Sequence, residues 1–184
     1  MKIWSLEEDV NHYEHITLDD RNNLNWIDFG DMFNGKSLKD NWTPIRVCLI
    51  EHGGKLKKGD MPYLSPGKPI FSKSAVTILK DLLEGYAEIL PIEYDLQELF
   101  IINVTNHIEA INYEKSDVEY MRDGKRILSV NKYYFKIEVV KKQHIFKIVN
   151  QLNGTVFVSD DFRNRVIEGG LQGFKFVEVW DSEE

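Results

Sequence analysis

The chain has 184 residues, 42% of them hydrophobic and 29% charged, with a formal net charge of −7. A chain of this length and composition encloses its own core, as one domain or as a domain with a small appendage. No apolar run is long enough to span a bilayer, the lone Cys48 excludes an internal disulfide, and residues 1–9 turn acidic before a signal-peptide core can form, so a cytoplasmic protein is expected.

Residues 2–6 alternate apolar and polar side chains, which predicts an edge strand. Residues 7–25 are polar and rich in Asn and Asp, hence irregular. His12 and His15 lie there beside Asp19 and Asp20, but two imidazoles at that spacing converge on a metal only from a helix. A solvated loop is the better reading. Residues 26–42 set Trp26, Phe29, Met32, Phe33 and Trp42 among Asp28, Asp31, Asn34 and Gly35. Aromatics that pin a loop to the core are one reading, and a partner-binding patch is the other.

Residues 30–37, Gly-Asp-Met-Phe-Asn-Gly-Lys-Ser, satisfy the letters of the phosphate-cradling loop G-x-x-x-x-G-K-[ST]. The context does not fit. Residues 23–29 make a poor buried strand, Pro44 stops any helix that starts at Ser37, and Met32 and Phe33 are bulky for a loop that must hug phosphates. Nucleotide binding is therefore not expected. Residues 45–50 read as a strand, with Cys48 a small apolar member. Residues 51–60 read as an exposed basic loop. It separates an N-terminal strand-and-loop portion, residues 1–58, taken as part of the same domain, from a main body, residues 59–184.

The stretch around which the main body is organised is 70–92. Ile70 and Phe71 end an extended piece, and Pro69 keeps its predecessor out of the helical region. Ser72 or Ser74 caps a helix. Ala75, Val76, Leu79, Leu82 and Leu83 recur at helical spacing on one face, which is expected to pack on a strand at 99–105. Gly85 provides a left-handed exit and Pro91 ends the returning strand. The same grammar returns at 155–180: a β-branched strand, Ser159 as cap, Asp160 and Asp161 at the helix start, Gly169 and Gly170 at its end, and an exit strand. The two units are either a duplication or two uses of one device.

Between them, 99–105 is a continuous apolar run of strand length, which predicts a central strand. Residues 118–122 and 126–130 flank Asp123-Gly124, a hairpin signal. Residues 133–140 and 145–149 read as further strands, and Asn153-Gly154 as a tight turn. Short connections demand antiparallel pairing. The fold class is α+β: a largely antiparallel sheet with two main helices in strand-helix-strand units.

Nothing in these residues makes a positive case for catalysis. His52, His107 and His144 are scattered, with His144 placed half-buried in a strand, and the pairs Asp160-Asp161 and Glu183-Glu184 sit at a helix start and a terminus. No catalytic, cofactor-binding or metal-binding residue is assigned. Charge is uneven: residues 1–42 hold nine acidic and four basic residues, residues 122–147 two acidic and eight basic, and residues 155–184 seven acidic and three basic. The basic block contains Tyr133, Tyr134 and Phe135, but alternation would turn those rings inward, away from nucleic acid. Negative charge for encounter and aromatics for anchoring coincide at 26–42, so Trp26, Asp28, Asp31 and Phe33 are the expected partner-facing residues.

Seven stretches resemble a bacterial immunity-protein family of the polymorphic toxin systems, the one numbered eleven, formerly a domain of unknown function. They are Ile-Phe-Ser-Lys-Ser-Ala-Val-Thr-Ile-Leu at 70–79, Glu-Ile-Leu-Pro at 88–91, Phe-Ile-Ile-Asn-Val at 100–104, Glu-Lys-Ser at 114–116, Ile-Phe-Lys-Ile at 145–148, Val-Phe-Val-Ser-Asp at 156–160 and Gly-Leu-Gln-Gly-Phe-Lys-Phe at 170–176. Together they cover about residues 60–180 and bear on fold rather than chemistry. The resemblance implies a non-catalytic cytoplasmic protein that binds and occludes a cognate protein toxin, a basic nuclease being one candidate, with no nucleic acid and no membrane as partner. The alternative is a regulatory or scaffold protein-interaction domain.

Overall fold

The computed structural model describes residues 1–51, 56–151 and 154–183. Its elements, in order, are β1 (Lys2–Glu8), β2 (Ile16–Leu18), α1 (Trp26–Met32), β3 (Val47–Leu49), β4 (Ile70–Ser72), α2 (Lys73–Leu83), β5 (Ala87–Ile92), β6 (Leu99–Val104), β7 (His107–Ile108), β8 (Asp117–Tyr120), β9 (Ile127–Lys132), α3 (Ile137–Val140), β10 (Ile145–Ile148), β11 (Val156–Ser159), α4 (Asp160–Glu168) and β12 (Phe174–Asp181). About 21% of the chain is helix and 36% strand, an α+β fold. Instead of one sheet there are two main ones, of three strands (β4-β6-β5) and five (β12-β1-β11-β10-β7), plus two-stranded pairs β2-β3 and β8-β9. All these ladders are antiparallel except β10 with β7.

The two strand-helix-strand units share one topology. In the first, β4 and β5 flank β6 and are antiparallel to it, so they run parallel to each other with α2 as the link. In the second, β11 and β12 flank β1 in the same way, with α4 as the link. Each is a split β-α-β unit. The caps are those the sequence offers: the Ser72 hydroxyl accepts from Ala75 N at 3.1 Å and the Ser159 hydroxyl from Phe162 N at 3.2 Å. Gly85 leaves α2 at φ +79, a conformation that would strain a residue with a Cβ.

Burial divides the molecule into layers. Ala75, Leu79, Leu82 and Leu83 of α2 and Phe162 and Val166 of α4 meet Phe71, Ile102 and Val104 of the small sheet and Leu6, Val156 and Val158 of the large one. Val76 packs at the margin of this core. The opposite face of the small sheet, with Ile70, Leu90, Leu99 and Ile101, is covered by Ile16, Leu18, Phe29, Phe33 and Val47 from the N-terminal portion. The opposite face of the large sheet, with Ile3, Phe146 and Phe157, is covered by Ala110, Ile111, Ile127, Phe135 and Val140. Consecutive residues of β6 thus serve different cores, which is why its sequence is apolar throughout rather than alternating. Each fully buried Phe or Leu contributes about 1.5–3 kcal/mol of transfer free energy.

Several sequence expectations are corrected. β1 is an inner strand of the large sheet, not an edge, because β11 and β12 hydrogen-bond to it on either side. Residues 7–25 include β2, and 26–42 begin with a helix rather than a loop. Residues 133–140 are no strand: Tyr133 and Phe135 join an aromatic pile with Phe146, Phe157 and Trp180, and 137–140 turn into α3. Burial of those rings, not sheet pairing, produces their spacing. His144 precedes β10 rather than lying within it. Of the loop at 51–60, His52 through residue 55 lie outside the described residues, as do Asn153 of the expected turn and Glu184.

Candidate protein-interaction surface

Helix α1 starts because Asn25 caps it twice. The Asn25 Oδ1 accepts from Ile27 N and Asp28 N, both at 2.9 Å, and its Nδ2 donates to Asp28 Oδ2 at 2.8 Å. Asp28 also stands in the first turn, where the helix dipole favours a carboxylate. The helix has two faces. Inward, Phe29 is 0% and Phe33, just past its end, 2% exposed. Their rings meet edge to face at 5.2 Å, and Trp42 meets Phe33 at 6.2 Å while its Nε1 donates to Pro91 O of β5 at 2.8 Å. The Lys68 ammonium lies 5.8 Å and 5.9 Å from the centres of the Phe29 and Phe33 rings, a cation–π arrangement beneath the helix.

Outward, Trp26 is 47% and Ile27 76% exposed, and Asp28 and Asp31 are exposed beside them. Ile27 and Asp31, one turn apart, share a face. Some surface carboxylates meet cations: Asp81 pairs with Arg165, Glu7 with Lys175, Glu98 with Lys73 and Asp95 with Arg46. Asp28 and Asp31 make no ion pair among the described residues. The structure therefore leaves Trp26, Asp28 and Asp31 exposed on α1 and takes Phe33 away from the surface. Phe33 is corrected as a partner-facing residue, because its ring is closed inside the core. Ile27 is the residue that sequence reading missed. The signal was available: Asn25 three residues before Asp28 marks a helix start, and on that helix 29 and 33 point one way and 27 and 31 another.

The loop that follows, with the phosphate-loop letters, receives an anion of the chain's own. Glu88 of β5 accepts from the Ser37 hydroxyl at 2.5 Å, from Leu38 N at 2.8 Å and from the Asn103 amide at 2.9 Å. The same Asn103 amide holds Lys36 O at 3.0 Å. Burial works against ionisation of Glu88 most strongly, but these bonds together outweigh it and hold the carboxyl below its ordinary value. Gly35, at φ +86, lies against the His107 ring: a Cβ there would come within 2.8 Å of His107 Cε1. The first glycine of the motif, Gly30, is inside α1, so no strand-loop-helix cradle exists.

The histidines and acidic pairs do not converge. His12 Nδ1 meets Asp9 at 2.8 Å, His15 Nε2 meets Val10 O at 2.8 Å, and Asp19 engages Arg21 and Arg46. The Arg21 guanidinium and backbone N, both donating to it, with the charge of Arg46 nearby, hold the Asp19 carboxyl far below the usual carboxylate range. Asp160 accepts from Lys2 N at 2.8 Å and from Trp4 Nε1 at 2.9 Å, which fixes β1 to the start of α4. Among the described residues no group of His, Cys, Asp and Glu side chains has the closeness of a metal site, and no helix is long and apolar enough to cross a membrane.

In this fold the polar side chains described above tie its elements together. In a comparison with protein families, the model of the Immunity protein family (Imm11) matches residues 93–181. The match begins just after β5 and ends with the last residue of β12, so it takes in β6 and the large sheet apart from β1. It bears out the resemblance over that stretch, while the stretches at 70–79 and 88–91, and α1, lie outside it. A comparison with curated proteins gives no match.

Proposed function

We propose that this chain is a toxin-neutralising immunity protein, which binds a cognate bacterial toxin in the cytoplasm of the producing cell and occludes its working surface without chemistry of its own. The observation that carries this reading is the Immunity protein family match over residues 93–181. The outer face of α1 supports it: Trp26 and Ile27 are exposed there, and Asp28 and Asp31 make no ion pair among the described residues.

The toxin-facing surface includes Trp26, Ile27, Asp28 and Asp31. A flat aromatic and a branched aliphatic side chain supply desolvation energy, which is where most binding energy concentrates. Two unpaired carboxylates accelerate encounter with a positively charged surface. A toxin that attacks nucleic acid is basic where it works, so a nuclease is the partner this surface suits. The test is co-expression with the toxin encoded next to this gene. Growth should be restored by the wild-type chain, with a stable complex on gel filtration. Absence of both protection and complex would favour a regulatory or scaffold domain instead.

A further inference from the structure

Where the two main sheets approach each other, two lysines are buried without a counter-ion. Lys68, between Gly67 and Pro69 at the entry to β4, is 5% exposed, and Lys147, in β10, is 3% exposed. Lys147 stands opposite His107 in the parallel β10–β7 pair. Its Nζ donates to Gly67 O at 2.6 Å, so one lysine is anchored on the residue next to the other. The Lys68 ammonium faces the Phe29 and Phe33 rings and has no hydrogen-bond acceptor among the described residues. Neither makes an ion pair with a carboxylate among those residues. Burial, and then Lys68, press the Lys147 ammonium down to about 8, and burial lowers Lys68 as well. His107 is driven the same way by burial and Lys147.

Buried charges in folded proteins are paired, because an unpaired one loses its hydration with nothing in return. Here two like charges belong to one stretch of the fold, Lys147 bonded to the residue next to Lys68, and among the described residues the Lys147 ammonium has an acceptor while that of Lys68 has none. At 3–5% exposure there is little room at either lysine for a bulky group of a partner protein. The occupant that balances such a site is small, negatively charged and diffusible.

We propose that Lys68 and Lys147 form a binding site for a small inorganic anion, chloride or phosphate. The anion accepts from both ammonium groups and cancels their repulsion. Because Lys68 also supports Phe29 and Phe33, an anion there steadies the underside of α1, and its occupancy sets how firmly the outer face of that helix is held. The site is independent of the toxin reading and stands or falls separately.

The test is thermal unfolding of the full chain titrated with sodium chloride or sodium phosphate at constant ionic strength, with gluconate as the balancing anion. A saturable rise in melting temperature is expected, of about 5–10 °C at a hundred times the dissociation constant. Whichever salt gives it identifies the anion. Lys68→Met and Lys147→Met should each abolish the dependence; an apolar chain of similar length is well tolerated where a buried charge stood. No saturable rise with either anion, or an undiminished rise in both variants, overturns the proposal. If a variant does not fold, crystals soaked in bromide, standing in for chloride, or arsenate, standing in for phosphate, decide: an anomalous peak touching both ammonium nitrogens with either supports the site, and its absence with both refutes it.

Discussion

Glu88→Ala removes the carboxylate that ties the loop after α1 to β5. Three donors lose their acceptor: the Ser37 hydroxyl, Leu38 N and the Asn103 amide. Bonds to a charged acceptor are each worth about 1.5–3 kcal/mol when shielded. Ser37 is exposed and finds water, so its bond adds little. Asn103 is 2% exposed and keeps only Lys36 O, so its loss approaches the full value. Leu38 N adds a smaller amount. The sum is about 2–4 kcal/mol, or roughly 5–15 °C in melting temperature for a chain of this size. The pH dependence is a second check. The folded-state carboxyl lies below its ordinary value of 4.5, so the stabilisation is complete above that value. It is lost as the pH falls through the lower folded-state pKa. Glu88→Gln should therefore be less stable than wild type at pH 7 and converge with it in acid. Urea melts at pH 7 and pH 3 measure both. A Glu88→Ala change under 0.5 kcal/mol, or a Glu88→Gln gap that persists unchanged in acid, would show that the loop is not held by this carboxylate.

Leu79, 0% exposed between both sheets and α4, should cost about 2–5 kcal/mol when cut to Ala; a urea-melt shift under 0.5 kcal/mol would mean its site collapses or is open. Lys36→Ala should leave stability within about 0.5 kcal/mol, since the fold uses only the backbone of Lys36, and calorimetry should show no ATP or GTP binding before or after the change. Micromolar nucleotide binding abolished by the variant would reverse that reading. At the end of β1, burial, reinforced by the neighbouring Glu7, pushes the half-buried Glu8 carboxyl up to about 7 from 4.5. A raised acid ionises earlier in the unfolded chain, so stability should fall as pH rises from about 4.5 to 7. Glu8→Gln should gain on wild type over that window in melts at pH 5 and pH 8, and an unchanged difference between the two would contradict it.

What was legible in the sequence was local. Ser72 and Ser159 are helix caps by type and position, the Leu79–Leu83 stripe has one helical face, and Gly85 and Asp123-Gly124 announce the turns that form there. β6 could be recognised as central because its apolar run leaves no face for water. What was not legible depended on distant partners. Residues 2–8 look like an edge strand until β11 and β12, more than 145 positions away, cover both sides of it. Tyr133 and Phe135 have strand spacing, but the rings of Phe157 and Trp180 decide their place. Lys147 alternates in sequence like a surface lysine and is inside, because β10 is covered on both faces. For the candidate surface, the acidic and aromatic residues could be picked out, but which of them faced outward could not be read without α1. Phe33 belongs to the core and Ile27 to the outside.

The most direct measurement is the association rate of the cognate toxin with the double variant Asp28→Lys/Asp31→Lys and with Trp26→Ala, at two salt concentrations. All three side chains are exposed, and Asp28→Lys gives up the Asn25 bond and a favourable place at the helix start for about 1 kcal/mol, so the variants should stay folded. If α1 faces the toxin, the charge reversal should slow association at least tenfold at low salt and flatten its salt dependence. Trp26→Ala should speed dissociation by about 1–3 kcal/mol, roughly 5- to 150-fold. Folded variants that keep the wild-type association rate, salt dependence and dissociation rate would place the toxin on another face of the protein.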